Sequence, residues 1–253
     1  MTDQSTQFPR FYVTAPSTCP YRSGNVERKV FTELKGNDPE GLHEALAQVG
    51  FRRSQDIVYR PTCEDCNACI SVRIPVQDFI ANRTQKRLIK KNNDLHSSEV
   101  PNIATREQYQ LLSRYLENRH PEGGMTNMSF EEYADMVQSS PIRTHLVEYR
   151  LPPDDQGHGP TRNRGQLIAV CLTDQMQDGL SLVYSFFDID PKFTKRSLGT
   201  YMILEHIATA EDFGLPHVYL GYWVDDSPKM AYKASFTPLE TLTPHGWRVI
   251  QTK

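Results

Sequence analysis

From about residue 143 onward the chain runs strand, strand, strand, helix, strand, short helix, strand, and this order restricts the fold more than any other feature. Residues 143–150 (RTHLVEYR), 165–175 (GQLIAVCLTDQ) and 180–190 (LSLVYSFFDID) are rich in β-branched and aromatic residues and read as strands. Residues 196–214 read as a helix closed by Gly214, 217–224 (HVYLGYWV) as a strand, 227–236 as a short helix and 246–251 as a final strand. The polar, Pro- and Gly-rich segment 151–164 reads as a hairpin loop.

The first half has a different texture. Asn37 or Asp38 caps a helix that Pro39 opens and Gly50 ends, with Leu42, Ala45, Leu46 and Val49 on one face. Residues 51–61 read as a strand. In 70–79 the alternation of Ile70, Val72, Ile74 and Val76 predicts a second strand, with Pro75 marking an edge or a bend. Two capping boxes, Thr105 with Gln108 and Ser129 with Glu132, predict helices further on. The expected organisation is α+β, with a smaller cysteine-bearing N-terminal domain over 1–78 and a larger domain over 79–253.

The formal net charge of −3 argues against a general nucleic-acid binder, while leaving room for a local basic face. No apolar run approaches the roughly 18 residues a membrane helix needs, so no membrane partner is expected. The first residues lack the layout of a signal peptide, and the cytoplasm is the expected location. Five cysteines is an odd number for a disulfide framework, and thiols in the cytosol stay reduced or bind metal.

Cys63, Cys66 and Cys69 are each separated by two residues. Zinc usually draws separated pairs of that spacing; an unbroken triple is closer to iron–sulfur ligation, where a fourth cysteine often precedes a proline. Cys19 precedes Pro20, so Cys19, Cys63, Cys66 and Cys69 form a candidate site for an iron–sulfur cluster or zinc. The plainer reading is reduced thiols stabilising a turn. Cys171, in an apolar strand, reads as a buried small hydrophobe. Arg83, Lys86, Arg87, Lys90 and Lys91 make 82–95 the most basic segment, either a solvated helix face or a contact for RNA phosphates.

The C-terminal order of elements is that of the GNAT superfamily of acetyl-CoA-dependent N-acetyltransferases, in which a Q/R-x-x-G-x-G/A turn sets helix-start amides on a pyrophosphate. Arg196 and Gly199 in RSLGTY fit that turn, but Tyr201 stands where a small residue is needed, which makes coenzyme A a poor expected donor. The segments TCPY (18–21), YRPTCEDCNACISVRIPV (59–76), NRTQKRLIKKN (82–92), SLGTY (197–201) and YLGYWVDDSPKMAYKASFTPLE (219–240) together resemble the aminoacyl-tRNA–protein transferases. The bacterial aspartate/glutamate leucyltransferases, relatives of the eukaryotic arginyltransferases, are the nearer branch. The resemblance implies a GNAT-like fold in the C-terminal part and transfer of an aminoacyl group, leucine before arginine, from charged tRNA. The acceptor is the N-terminal amine of proteins beginning with Asp or Glu, which marks them for N-end-rule degradation. No cofactor is required for such a transfer.

On that reading Arg73, with Arg83 or Arg87 behind it, holds the acceptor carboxylate. Ser197, Gly199 and Tyr201 meet the terminal nucleotide's phosphate. Lys229 and Lys233 meet the acceptor stem, the plainer alternative being an exposed pair. Tyr222 or Asp225 shuttles the proton, the alternative being core packing and a helix cap. The rivals are arginyl transfer by the same route, a coenzyme A-dependent N-acyltransferase, and a non-catalytic iron or redox sensor built on the cysteines.

Overall fold

A computed structural model describes residues 8–119, 125–153, 164–228 and 230–250. The hairpin loop expected at 151–164 lies for the most part outside the described residues, as does Lys229. In chain order the elements are β1 (Tyr12–Val13), β2 (Ser17–Thr18), β3 (Val26–Glu27), β4 (Lys29–Glu33), α1 (Pro39–Gln48), β5 (Arg52–Ser54), β6 (Ile57–Pro61), β7 (Ile70–Pro75), α2 (Arg83–Lys91), β8 (His96–Pro101), α3 (Arg106–Arg119) and α4 (Phe130–Gln138). The remainder are β9 (Thr144–Arg150), β10 (Leu167–Met176), β11 (Gly179–Phe187), α5 (Leu198–Asp212), β12 (His217–Trp223), β13 (Leu239–Thr243) and β14 (Gly246–Ile250). The short helix expected at 227–236 is a single 3-10 turn, Ala231–Ser235.

An eight-stranded mixed sheet, ordered β14-β13-β7-β12-β11-β10-β9-β8, carries the architecture. Its one parallel pair is β11 and β12, bridged by α5. Apolar side chains of β10 fill both faces. Val170 and Leu172 pack with Leu111, Leu112 and Leu116 of α3 and Tyr133 of α4, while Ala169 and Cys171 pack with Tyr201 and Met202 of α5. Cys171 is fully buried there, as a small hydrophobe. Among the described residues no helix is long and apolar enough to cross a membrane.

β7, on the N-terminal side of residue 78, lies inside this large sheet between β13 and β12. Pro75 is its last residue and costs no interior ladder bond; the chain bends there into a 3-10 turn, Val76–Asp78. The other N-terminal strands form a separate four-stranded antiparallel sheet, β1-β4-β6-β5. Asp38 caps α1 by accepting from the Gly41 amide at 2.8 Å, and Pro39 occupies its first turn. A buried ion pair ties the small sheet to the large one: Arg53 of β5 donates to both carboxylate oxygens of Asp174 of β10, at 2.6 and 2.7 Å.

The feature that positions the site is a gap in the ladder. β11 and β12 pair over three registers only, Gly179–His217, Leu180–Val218 and Ser181–Tyr219, although both strands run on. Each bulges where pairing stops. Against β10, the partners of β11 jump from Leu172–Tyr184 to Thr173–Leu182, leaving Val183 extra; against β7, Leu220 of β12 is the extra residue. Bulges raise the local twist and re-aim the strand, so the two strands splay.

Candidate active site in the splayed cleft

A cleft of about 1090 Å³ opens at the splay. Its floor is β11 and β12, one wall is the start of α5 through Ser197, Leu198, Gly199 and Thr200, and another is Arg52, Tyr59 and Tyr21 of the N-terminal part. Towards α3 and α4 it is lined by Met125, Met136, Leu172, Tyr115, Tyr184 and Phe187, together with Asn118 and Arg119 at the end of α3. Gly199 permits the close approach of α5 to β11, since a Cβ there would sit 3.3 Å from the Phe187 ring.

Two cations replace the missing ladder. Arg52 donates from Nη2 to the Leu182 carbonyl of β11 at 2.8 Å. Lys233 donates from Nζ to the Leu220 and Tyr222 carbonyls of β12 at 2.8 and 2.5 Å. Lys233 is 7% exposed, and burial, reinforced by the nearby Arg52 charge, brings its pKa down to about 7. Arg52 lies against β12 where Gly221 has a φ of +80°; a Cβ on Gly221 would stand 2.1 Å from Nη1. Among the described residues, Asp188 is the carboxylate that lines the cleft.

Lys233 is thus a buried cleft residue and not half of an exposed pair. It sits in a 3-10 turn, Ala231–Ser235, and Lys229 lies outside the described residues. Tyr201 turns away from the cleft: it is 4% exposed and packs edge-on against Tyr149, with centroids 6.0 Å apart. The crowding expected of it does not arise, because a residue one turn into α5 faces the sheet. Tyr222 lines the cleft, but its hydroxyl is committed to the Gly50 and Tyr59 carbonyls at 2.8 and 3.0 Å, and burial pushes its pKa far up. Those bonds suit a fixed strut and oppose a proton shuttle. Asp225 is exposed in the turn after β12 and does not line the cleft.

Arg73 does not reach the cleft either. Its Nε donates to Glu240 of β13 at 2.6 Å, Nη1 lies 3.8 Å from Asp178, and the guanidinium lies 4.3 Å from the Trp247 ring centroid. A cation already bound to two carboxylates has little left to offer a substrate carboxylate. Arg83 and Arg87 are exposed on α2, as are Lys86, Lys90 and Lys91, and none of the five is in an ion pair among the described residues. The end of α2 is tied to the α5 start, the Asn92 amide donating to the Arg196 carbonyl at 3.0 Å.

The four N-terminal thiols come together without forming a ligand set. Burial, then the neighbouring Cys19, Cys63 and Cys66, push the Cys69 thiol up to about 11, and Cys63 and Cys66 face each other across a short bridge. Arg22 donates to the Cys66 sulfur at 3.7 Å and pairs with Asp226 at 2.9 Å. Among the described residues no group of three or more His, Cys, Asp or Glu is arranged to hold a metal ion.

Sequence reasoning missed Arg52, although a signal existed. A glycine inside a strand, as in YLGYW, marks a bulge or a close approach, and here the approaching group is the Arg52 guanidinium.

Comparison with known proteins gives a consistent picture. The model described as arginine-tRNA-protein transferase, N terminus, matches residues 17–87, and that described as arginine-tRNA-protein transferase, C terminus, matches 107–243. A protein of Parvibaculum lavamentivorans named aspartate/glutamate leucyltransferase is 55% identical, over 98% of this chain and 98% of its own. One of the same name from Methylorubrum populi is 53% identical with the same coverage. Among solved structures, FemX is similar at a TM-score of 0.47 and 8% identity, over 88% of this chain and 81% of its own.

Proposed function

Because the chain belongs to the family of aspartate/glutamate leucyltransferases, we propose that it carries leucine from leucyl-tRNA to the N-terminal amine of proteins beginning with Asp or Glu, in the cleft between β11 and β12. The observation that carries the siting is the splay itself, in which Arg52 and Lys233 bind the open strand edges of a cleft that also holds Met125, Met136 and Leu172. Met125, Met136 and Leu172 suit a leucyl side chain. An arginyl side chain would want acids, and Asp188 is the carboxylate lining the cleft among the described residues.

In the transfer the amine nitrogen bonds to the ester carbon, the bond from that carbon to the ribose oxygen breaks, and one proton passes from nitrogen to that oxygen. An α-amine has an ordinary pKa of about 7.7, so alignment matters more than a strong base. Lys233 spends two of its three N–H groups on Leu220 and Tyr222. With a pKa of about 7 it both accepts the amine's proton and returns it to the ribose oxygen near neutral pH. The exposed cations of α2, next to the α5 start, suit tRNA phosphates. The product bears a new N-terminal leucine, which in the cytoplasm marks it for N-end-rule degradation. The cysteines stand outside this chemistry, and absorbance of protein purified without oxygen tests whether they take up iron.

The test is transfer of labelled leucine or arginine from the charged tRNAs, and of acetyl from acetyl-CoA, to peptides beginning with Asp, Glu, Arg and Ala. Leucine on the Asp and Glu peptides is the expected outcome. Acetylation with no aminoacyl transfer overturns it.

A further inference from the structure

The guanidinium of Arg52 spans the mouth of the splay, bonded to the Leu182 carbonyl of β11 at 2.8 Å and laid against Gly221 of β12. Of the other partly or fully buried arginines among the described residues, all but Arg28, which does not line the cleft, have a carboxylate partner; Arg22 has Asp226 at 2.9 Å. Arg53 has Asp174 at 2.6 Å, Arg73 has Glu240 at 2.6 Å, Arg150 has Glu107 at 2.6 Å, and Arg196 has Asp94 at 2.7 Å. Arg52, half-buried and lining the cleft, has no carboxylate within ion-pair reach among the described residues. Its charge is felt by Lys233, Tyr21, Tyr222 and Tyr232 around the same space. A cation drawn from water and left beside a second cation is costly without a partner. An anion arriving in the cleft would offset that cost.

We propose that Arg52 is the receptor for the side-chain carboxylate of the acceptor's first residue, and so the residue that selects Asp and Glu. This rests on the leucyl-transfer reading above. The chemistry of the acceptor favours a carboxylate over a tRNA phosphate. In an N-terminal aspartate the carboxylate carbon is three bonds from the reacting nitrogen, so its receptor must stand next to the point of attack. Arg52 stands across the gap from Lys233, whereas the phosphates of the donor have the exposed cations of α2 and the start of α5 to meet. A guanidinium held by one nitrogen to a backbone carbonyl keeps its other N–H groups for a carboxylate.

The experiment measures kcat/KM for leucyl transfer to matched peptides beginning with Asp, Glu, Ala and Lys, with wild type, Arg52→Gln, Arg52→Lys and Arg52→Glu. It also measures KM for leucyl-tRNA. Wild-type transfer to Asp and Glu establishes the function independently of Arg52; its absence sinks that reading first. With transfer present, Arg52→Gln should lower the Asp-to-Ala ratio by roughly a hundredfold with KM for leucyl-tRNA unchanged. Arg52→Glu should move preference towards the Lys peptide. Should Arg52→Gln not fold, Arg52→Lys, which keeps the charge without the fork, must still shift the Asp-to-Ala ratio. An unchanged ratio in the folded variants, or an equal loss on every acceptor with a raised KM for leucyl-tRNA, overturns the proposal.

Discussion

β11 and β12 carry a cluster of cations at each end, and the two clusters are built by opposite rules. At the paired end, Arg73 is enclosed by Glu240 and Asp178 and stacked on Trp247, with His217 Nδ1 3.3 Å from Asp178. At the splayed end, Arg52 and Lys233 bind backbone carbonyls and no carboxylate among the described residues. Carbonyl oxygens satisfy N–H groups without cancelling charge, so the splayed end keeps a positive potential that the paired end has spent on cohesion. The difference separates a structural cluster from one that waits for an anion.

The sharpest contrast is between adjacent residues of β5. Arg53→Gln leaves Asp174, 0% exposed, as a buried carboxylate without its cation. A loss of about 3–5 kcal/mol is expected, read by urea unfolding. Arg52→Gln removes one bond to a carbonyl and should cost only about 1 kcal/mol. Equal losses would erase the distinction between the two clusters.

Lys233 tests the same division by rate. Lys233→Arg retains a cation for the Leu220 and Tyr222 carbonyls but cannot give up a proton near neutrality. A fall in kcat of roughly 10²–10⁴-fold is expected, with the unfolding midpoint little changed. In the wild type, activity should rise through about pH 7 as the buried amine loses its proton. In the variant only the substrate amine's own ionisation should remain. A wild-type profile in Lys233→Arg would confine the lysine to holding β12 open.

How far these clusters can be read from sequence follows from what makes each of them. The α1 cap at Asp38 and the capping box of Ser129 with Glu132 are local chemistry, and both are formed as the spacing predicts. β8 (HSSEVP) is largely exposed at the sheet edge and carries little apolar pattern to announce it. The central place of β7 is set by its pairing with β12 and β13, well over a hundred residues on. Arg52 and Arg53 look alike in the sequence; only the ladder gap and Gly221 on one side, and Asp174 on the other, give them different roles. SVRIP offered Arg73 as a free cation because Glu240 and Trp247, its partners, are distant in the chain.

If the paired end is structural, Arg73→Gln should cost about 1.5–3 kcal/mol, the scale of a hydrogen bond to a charged group, because it strips Glu240 and Tyr219 of a donor. The preference for Asp over Ala acceptors should survive in the folded fraction. A collapse of that preference, measured with the same peptides, would return acceptor recognition to Arg73 and remove the contrast between the ends.

The smallest effect is the most specific to the paired end, because it has a pH signature. Burial alone would raise the Asp178 carboxyl, but bonds from His217, Tyr219 and Gln48 outweigh it and hold its pKa at about 2. A depressed carboxylate adds stability above its unfolded pKa of about 3.9 and loses it as pH falls towards the folded value. Asp178→Asn should therefore be less stable at pH 7 by about 1–2 kcal/mol, and the gap should close between about pH 4 and pH 2. Urea unfolding of both proteins at pH 7, 4 and 2.5 measures it. A gap that stays constant to the lowest pH would assign Asp178 a role through shape, leaving Glu240 alone to neutralise Arg73.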